Sequence, residues 1–173
     1  MPNVTDLFDS SMYVNDIRWD DSYKYVWYSG HGPWSTRFTA WYAAGLLYRN
    51  RGQGLPNAKA AIEYILSCQM TGNVESAWYG TFKASPDEPY PTPDSELYPP
   101  EIYSSYDPNW REFIGTQLVQ FVEEFSGFIG PKLVTQIEDS LEIAAVGSMC
   151  RNGSNPEGDN LTPAYSNPAL MRA

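Results

Sequence analysis

The residues best equipped for chemistry lie together at Tyr106-Asp107-Pro108-Asn109-Trp110-Arg111-Glu112-Phe113. Acids, an arginine and an indole crowd into what reads as a loop's last turn and a helix's first. Two carboxyl groups in an aromatic pocket have their pKa values driven apart by desolvation and mutual repulsion. One then serves as general acid, the other as base or cation stabiliser. Asp107 and Glu112 are the candidates here. Asp20, with Asp16 and Asp21 beside it, supplies carboxylates to an earlier loop. His31 is the only histidine and sits between two glycines, a setting that suits a general base. Trp19, Trp34, Trp78, Tyr106 and Trp110 are candidate walls of a substrate cavity, with Arg111 and Asp159 as polar contacts.

Each of these residues also has a plainer reading. Asp107 can cap the helix behind Pro108, or Asn109 and Glu112 can form a capping box. Asp107 and Arg111 are spaced to pair at i, i+4. His31 can be a turn residue, Asp20 a solvated acid, and the tryptophans core packing.

The elements that must position these groups are helical. Ser35 is an N-cap, and Phe38, Trp41, Tyr42, Gly45 and Leu46 follow at helical spacing to Arg49-Asn50-Arg51-Gly52. A second helix opens at Pro56, carries Ala58, Ala61, Ile62, Ile65 and Leu66, and stops near Met70-Thr71-Gly72. The short link predicts an antiparallel hairpin. Residues 71–107 hold prolines at 86, 89, 91, 93, 99 and 100 together with seven aromatic residues. Such a stretch is no helix, yet a solvated linker would not be this aromatic, so it is expected to be ordered and to lie over something. A helix from about Pro108 to Phe125 follows, then breakers at Gly127, Gly130 and Pro131. A last helix carries Leu133, Ile137, Leu141 and Ala144 and ends near Cys150. Residues 1–34 read as irregular, with Val26-Trp27-Tyr28 too short a run to assign as a strand.

The two hairpins coincide at an offset of 75 residues: Phe38 on Phe113, Leu47 on Val122, Gly52 on Gly127, Pro56 on Pro131, Ile62 on Ile137. Breakers fall on breakers and core positions on core positions, which predicts a repeat of stacked helical hairpins. The expected fold is all-α: hairpin one over 35–70, hairpin two over 108–150, and the start of a third at 167–173.

With Trp41-Tyr42-Ala43-Ala44-Gly45-Leu46-Leu47 on the first helix, this pattern resembles the α/α-toroid (six-hairpin) superfamily. The stretches 106–113 and 159–168 are similar to uncharacterised fungal proteins of that architecture. The resemblance implies that the loops before inner helices border a central cavity. It implies a partial toroid, the N-terminal part of a longer protein, whose uncovered hairpin face invites self-association. Toroid relatives include glycan hydrolases, polysaccharide lyases and terpene-alcohol dehydratase-isomerases.

Composition narrows the partners. A formal net charge of -10 with no basic run argues against nucleic acid or an anionic membrane. No apolar stretch reaches the length of a membrane span, and the first residues have no signal-peptide pattern. The expected location is therefore cytoplasmic, with a secreted relative left open by three Asn-X-Ser/Thr triplets. One His with distant Cys68 and Cys150 makes no zinc set. The two cysteines read as buried thiols, with a bond between them left open. No cofactor motif is present. The leading expectation is a small-molecule enzyme tailoring a terpenoid or polyketide by acid–base chemistry. A glycan hydrolase or lyase, or a non-catalytic interaction module, is the alternative.

Overall fold

The computed structural model describes residues 17–20, 22–28 and 35–149. Among the described residues four helices carry the fold: α1 (Thr36–Arg49), α2 (Gly54–Ser67), α3 (Trp110–Ile129) and α4 (Pro131–Met149). A two-stranded antiparallel hairpin, β1 (Ile17–Asp20) and β2 (Tyr25–Tyr28), precedes them, with Ile17 opposite Tyr28 and Asp20 opposite Tyr25. The protein is thus helical, with strand confined to this ribbon among the described residues.

The first helix begins where its cap residue directs. The Ser35 hydroxyl accepts the Phe38 N–H at 3.4 Å, and Asn50 closes the other end in the left-handed region at φ 41°. The second helix starts two residues before Pro56, so the proline sits inside the first turn, where its missing N–H costs nothing. The third helix runs further than the breakers suggested. Gly127 lies within it, and the chain turns only at Gly130, φ +88°. A glycine in a helix costs only about 1 kcal/mol, which the packing of Phe121, Phe125 and Ile129 outweighs. The repeat therefore holds for the core positions but not for the two links: 50–53 joins α1 to α2, while Gly130 alone joins α3 to α4.

The hairpins lie side by side. α1 packs on α2 and α3 on α4; across the pair, α1 meets α3 and α2 meets α4. Ala40, Ala43, Leu47, Ile62, Ile65, Ile114, Leu118, Phe121, Ile137 and Leu141 form one core, all fully or nearly fully buried. Each large aliphatic or aromatic side chain buried there stabilises by about 2 kcal/mol, against about 1 for a cap such as Ser35. Packing between hairpins is thus the main support. At the surface, Tyr48 of α1 donates to Glu124 of α3 and accepts from Gln120 at 2.8 Å, which closes the same seam.

The β-ribbon, expected as irregular chain, is built by Asp20. Its carboxylate accepts the N–H groups of Ser22 (2.9 Å) and Tyr23 (3.1 Å), and Lys24 takes φ 60° to finish the turn. β2 is docked on α1 because the buried Val26 N–H donates to the Thr39 hydroxyl at 2.9 Å.

The long connection is ordered over 71–107 and closes onto both hairpins. Met70 and Thr81 share a short ladder (Met70 N–H to Thr81 carbonyl, 2.7 Å), and Lys83 donates to Cys68 at 3.0 Å. Gly80 and Gly147 let this loop touch the backbone of α4. A Cβ on Gly147 would stand 2.1 Å from the Tyr79 carbonyl oxygen, and one on Gly80 would stand 2.5 Å from that of Ile143. Gln69 joins the layers: its amide donates to the Gly80 (3.2 Å) and Ser140 (2.9 Å) carbonyls and accepts from the Ser140 hydroxyl at 2.8 Å.

Candidate functional site

The loop and the start of α3 enclose a cleft of about 230 Å³ lined by Phe82, Ala84, Glu88, Tyr103, Ser104, Tyr106, Asp107 and Trp110. Its walls are aromatic, and its ionisable groups are two carboxyls, Glu88 and Asp107. The floor belongs to the core: Phe82 is almost fully buried and Tyr106 is 7% exposed.

Asp107 is fixed from both sides. Its side chain accepts the Asn109 N–H at 2.8 Å, and its carbonyl accepts the Thr81 hydroxyl at 2.6 Å. The anticipated capping box at this helix start does not form in the expected way. Asn109 makes no side-chain cap bond; it is already helical and turns its amide to the Tyr103 hydroxyl at 3.3 Å. Asp107, two residues earlier, does the turning instead, as an Asx turn.

Glu88 was not among the residues expected from sequence. Its carboxylate accepts the Ala84 N–H. Burial pushes its pKa up from the ordinary value, only partly offset by the N–H groups of Ala84 and Ser85 and by the charge of Lys83. A carboxyl whose proton is held more tightly than usual is suited to donate it. The sequence signal was faint, two adjacent acids, Asp87 and Glu88, between Pro86 and Pro89 in a loop already marked as ordered.

Arg111 is fully buried. Its Nε donates to the Tyr79 carbonyl at 3.0 Å, Nη2 to the carbonyls of Tyr79 and Ala77 (the latter 3.1 Å), and Nη1 approaches the Pro108 carbonyl at 3.5 Å. It ties the loop carrying Trp78 to the start of α3 and does not line the cleft. Trp78 is 8% exposed and packs with Met70, Tyr106 and, edge to face at 5.5 Å, Tyr90. Tyr106 and Trp110 do line the cleft. Glu112, half-buried one turn into α3, does not.

The remaining expected residues divide in two. Asp20 builds the β-turn described above, and Trp19 stacks on Tyr42 at 5.4 Å; neither lines the cleft. His31, Trp34 and Asp159 lie outside the described residues, as do Cys150 and the expected third hairpin. Cys68 is buried at the end of α2. Among the described residues no group of three or more His, Cys, Asp or Glu side chains could hold a metal ion, and no helix is long and apolar enough to cross a membrane.

Fold and cleft together define a class: stacked helical hairpins capped by an ordered aromatic loop that encloses two carboxyls. The chain belongs to the family described as Domain of unknown function (DUF8769), which it matches over residues 5–173. No curated protein and no solved structure matches it.

Proposed function

We propose that the cleft is the acid–base site of a small-molecule enzyme, with Glu88 as general acid and Asp107 as base or stabiliser of a developing cation. The observation that carries this reading is the pairing of a carboxyl whose pKa is raised by burial with a second, hydrogen-bond-oriented carboxyl in one aromatic-walled cleft. Tyr106 and Trp110 offer flat apolar faces, and Tyr103 and Ser104 offer hydroxyls, to a hydrophobic or hydroxylated substrate.

Size bears on the choice of substrate. Drug-sized ligands fill pockets of about 300–1,000 Å³, so a cleft of about 230 Å³ suits a small terpenoid or polyketide fragment. Secondary-metabolite tailoring is therefore the preferred reading. Paired carboxyls among aromatic rings also suit a glycan hydrolase or lyase, but a cleft this small holds a single sugar ring rather than a chain. The α/α-toroid resemblance fits both, since a helical hairpin is its repeating unit and two such hairpins pack here through α1 and α3.

The test is metabolite profiling of a deletion strain complemented with wild type, Glu88→Gln or Asp107→Asn. Wild type restores a lost terpenoid or polyketide and both variants fail. Restoration by both folded variants removes the acid–base reading. An unchanged profile together with lost glycan cleavage transfers the site to the second reading.

A further inference from the structure

We infer that Arg37 is a carboxylate-recognition residue, so that the substrate of the cleft is an organic acid. This deepens the proposed function and rests on it for the word substrate; the anion site itself is independently testable. Arg37 is half-buried at the second position of α1. Its guanidinium carbon lies 4.0 Å from the centroid of the Phe113 ring and 4.6 Å from that of Trp41. Phe38 stands edge to face with Trp41 at 5.4 Å and completes the aromatic surround.

The placement runs against two ordinary preferences. A helix N-terminus carries partial positive charge and favours acids, not arginine, yet the first turn of α1 contains no acid. In a chain of formal net charge -10, an arginine would be expected to find a carboxylate. Among the described residues the contacts of Arg37 are ring faces, and its enclosed Nε has no acceptor. The Thr36 hydroxyl beside it is also enclosed without an acceptor or donor. An enclosed donor without an acceptor is unfavourable, because it has lost its water without a replacement. The guanidinium is thus oriented by stacking, which occupies its faces and leaves the in-plane fork of Nη1 and Nη2 for a ligand.

The position adjoins the cleft along both inner helices. Thr36 donates its N–H to the carbonyl of cleft-lining Ala84 at 3.0 Å, and Phe113 follows cleft-lining Trp110 by one helical turn. A planar carboxylate matches the fork in two parallel hydrogen bonds. A dianionic phosphate would meet greater repulsion than a monocarboxylate from a chain of formal net charge -10. The structure therefore points to a monocarboxylate whose uncharged body reaches into the aromatic cleft.

The experiment is an NMR titration of the protein with sodium benzoate and, separately, with inorganic phosphate. It follows the Arg37 Nε–H signal and the amides of 36–39 and 113. Saturable shifts with benzoate are expected for wild type, lost in Arg37→Gln and weakened by about tenfold in Arg37→Lys, because an ammonium lacks the fork. Absence of saturation in wild type, equal affinity in Arg37→Lys, or saturation by phosphate alone overturns the assignment. Should Arg37→Gln not fold, Arg37→Lys carries the comparison. Glu88→Gln separates the two proposals: it abolishes turnover if the acid–base reading holds, and it leaves the benzoate titration intact whether or not that reading survives.

Discussion

The carboxyl of Glu88 is partly withdrawn from water, and burial raises its pKa against the opposing pull of two backbone N–H groups and Lys83. The consequence for stability follows from linkage. A folded-state pKa above the unfolded value means the protonated form stabilises the fold at low pH, and that contribution is lost as pH rises through the folded pKa. Glu88→Gln removes the titration while keeping an acceptor for the Ala84 N–H. Its melting temperature relative to wild type should therefore be more favourable at pH 7 than at pH 4. A difference that does not change with pH would show that Glu88 titrates as in the unfolded chain. Arg111 is the opposite kind of buried charge, satisfied by backbone carbonyls. Arg111→Met leaves the Tyr79 and Ala77 carbonyls without that donor and should cost about 3 kcal/mol in urea unfolding. A loss below about 0.5 kcal/mol would mean that water replaces the guanidinium freely. Neither role was legible beforehand. Arg111 was expected at a substrate because its sequence neighbours are acids and aromatics, whereas the Tyr79 and Ala77 carbonyls it holds come from more than thirty positions away. Glu88 draws its chemistry from burial, which a proline-rich loop does not disclose.

At the scale of elements, helical spacing was legible because apolar periodicity reports the buried face directly. Ser35, Asn50 and the stripe from Ile114 to Phe125 lie where that pattern puts them. Glycine was harder to read, because the residue signals a turn only when its conformation or surroundings demand one. Gly127 is an ordinary helical position with open space where a Cβ would go, while Gly147 is a contact site against the Tyr79 carbonyl. These two glycines give opposite expectations. Gly127→Ala should be neutral or stabilise by up to about 1 kcal/mol through helix propensity. Gly147→Ala must push the 77–82 loop from α4 or bend the helix, and should destabilise by about 2 kcal/mol. Thermal unfolding of both variants checks the pair; equal effects would mean that the loop yields at no cost. The β-ribbon escaped sequence reading for another reason. Its strands have four residues each, and its turn depends on one aspartate rather than on an Asn-Gly or Asp-Gly signal.

For the whole molecule, the question is whether two hairpins of a repeat behave as separate units or as one. In an open stack, each unit's stability adds to nearest-neighbour terms, and terminal units can open alone. Here the connection between the hairpins is no passive link. It bonds to the end of α2 through Met70 and Cys68 and to the start of α1 through the Ala84 carbonyl. It meets α3 through Arg111 and α4 through Gly80, while Gln69 reaches Ser140 of α4 directly. Opening either hairpin therefore breaks bonds that belong to the other. The expected outcome is one cooperative transition. Far-UV circular dichroism, which reports α1 to α4, and fluorescence of the tryptophans, including Trp78 and Trp110 beside the loop, should fall on the same urea curve. The variant Gln69→Ala provides the stricter comparison: it should lower the midpoint without separating the two probes, because the loop and the α1–α3 core still join the hairpins. Fluorescence lost before helicity in wild type would mean that the loop detaches while both hairpins persist. The cleft would then be an annex to the fold rather than a product of it.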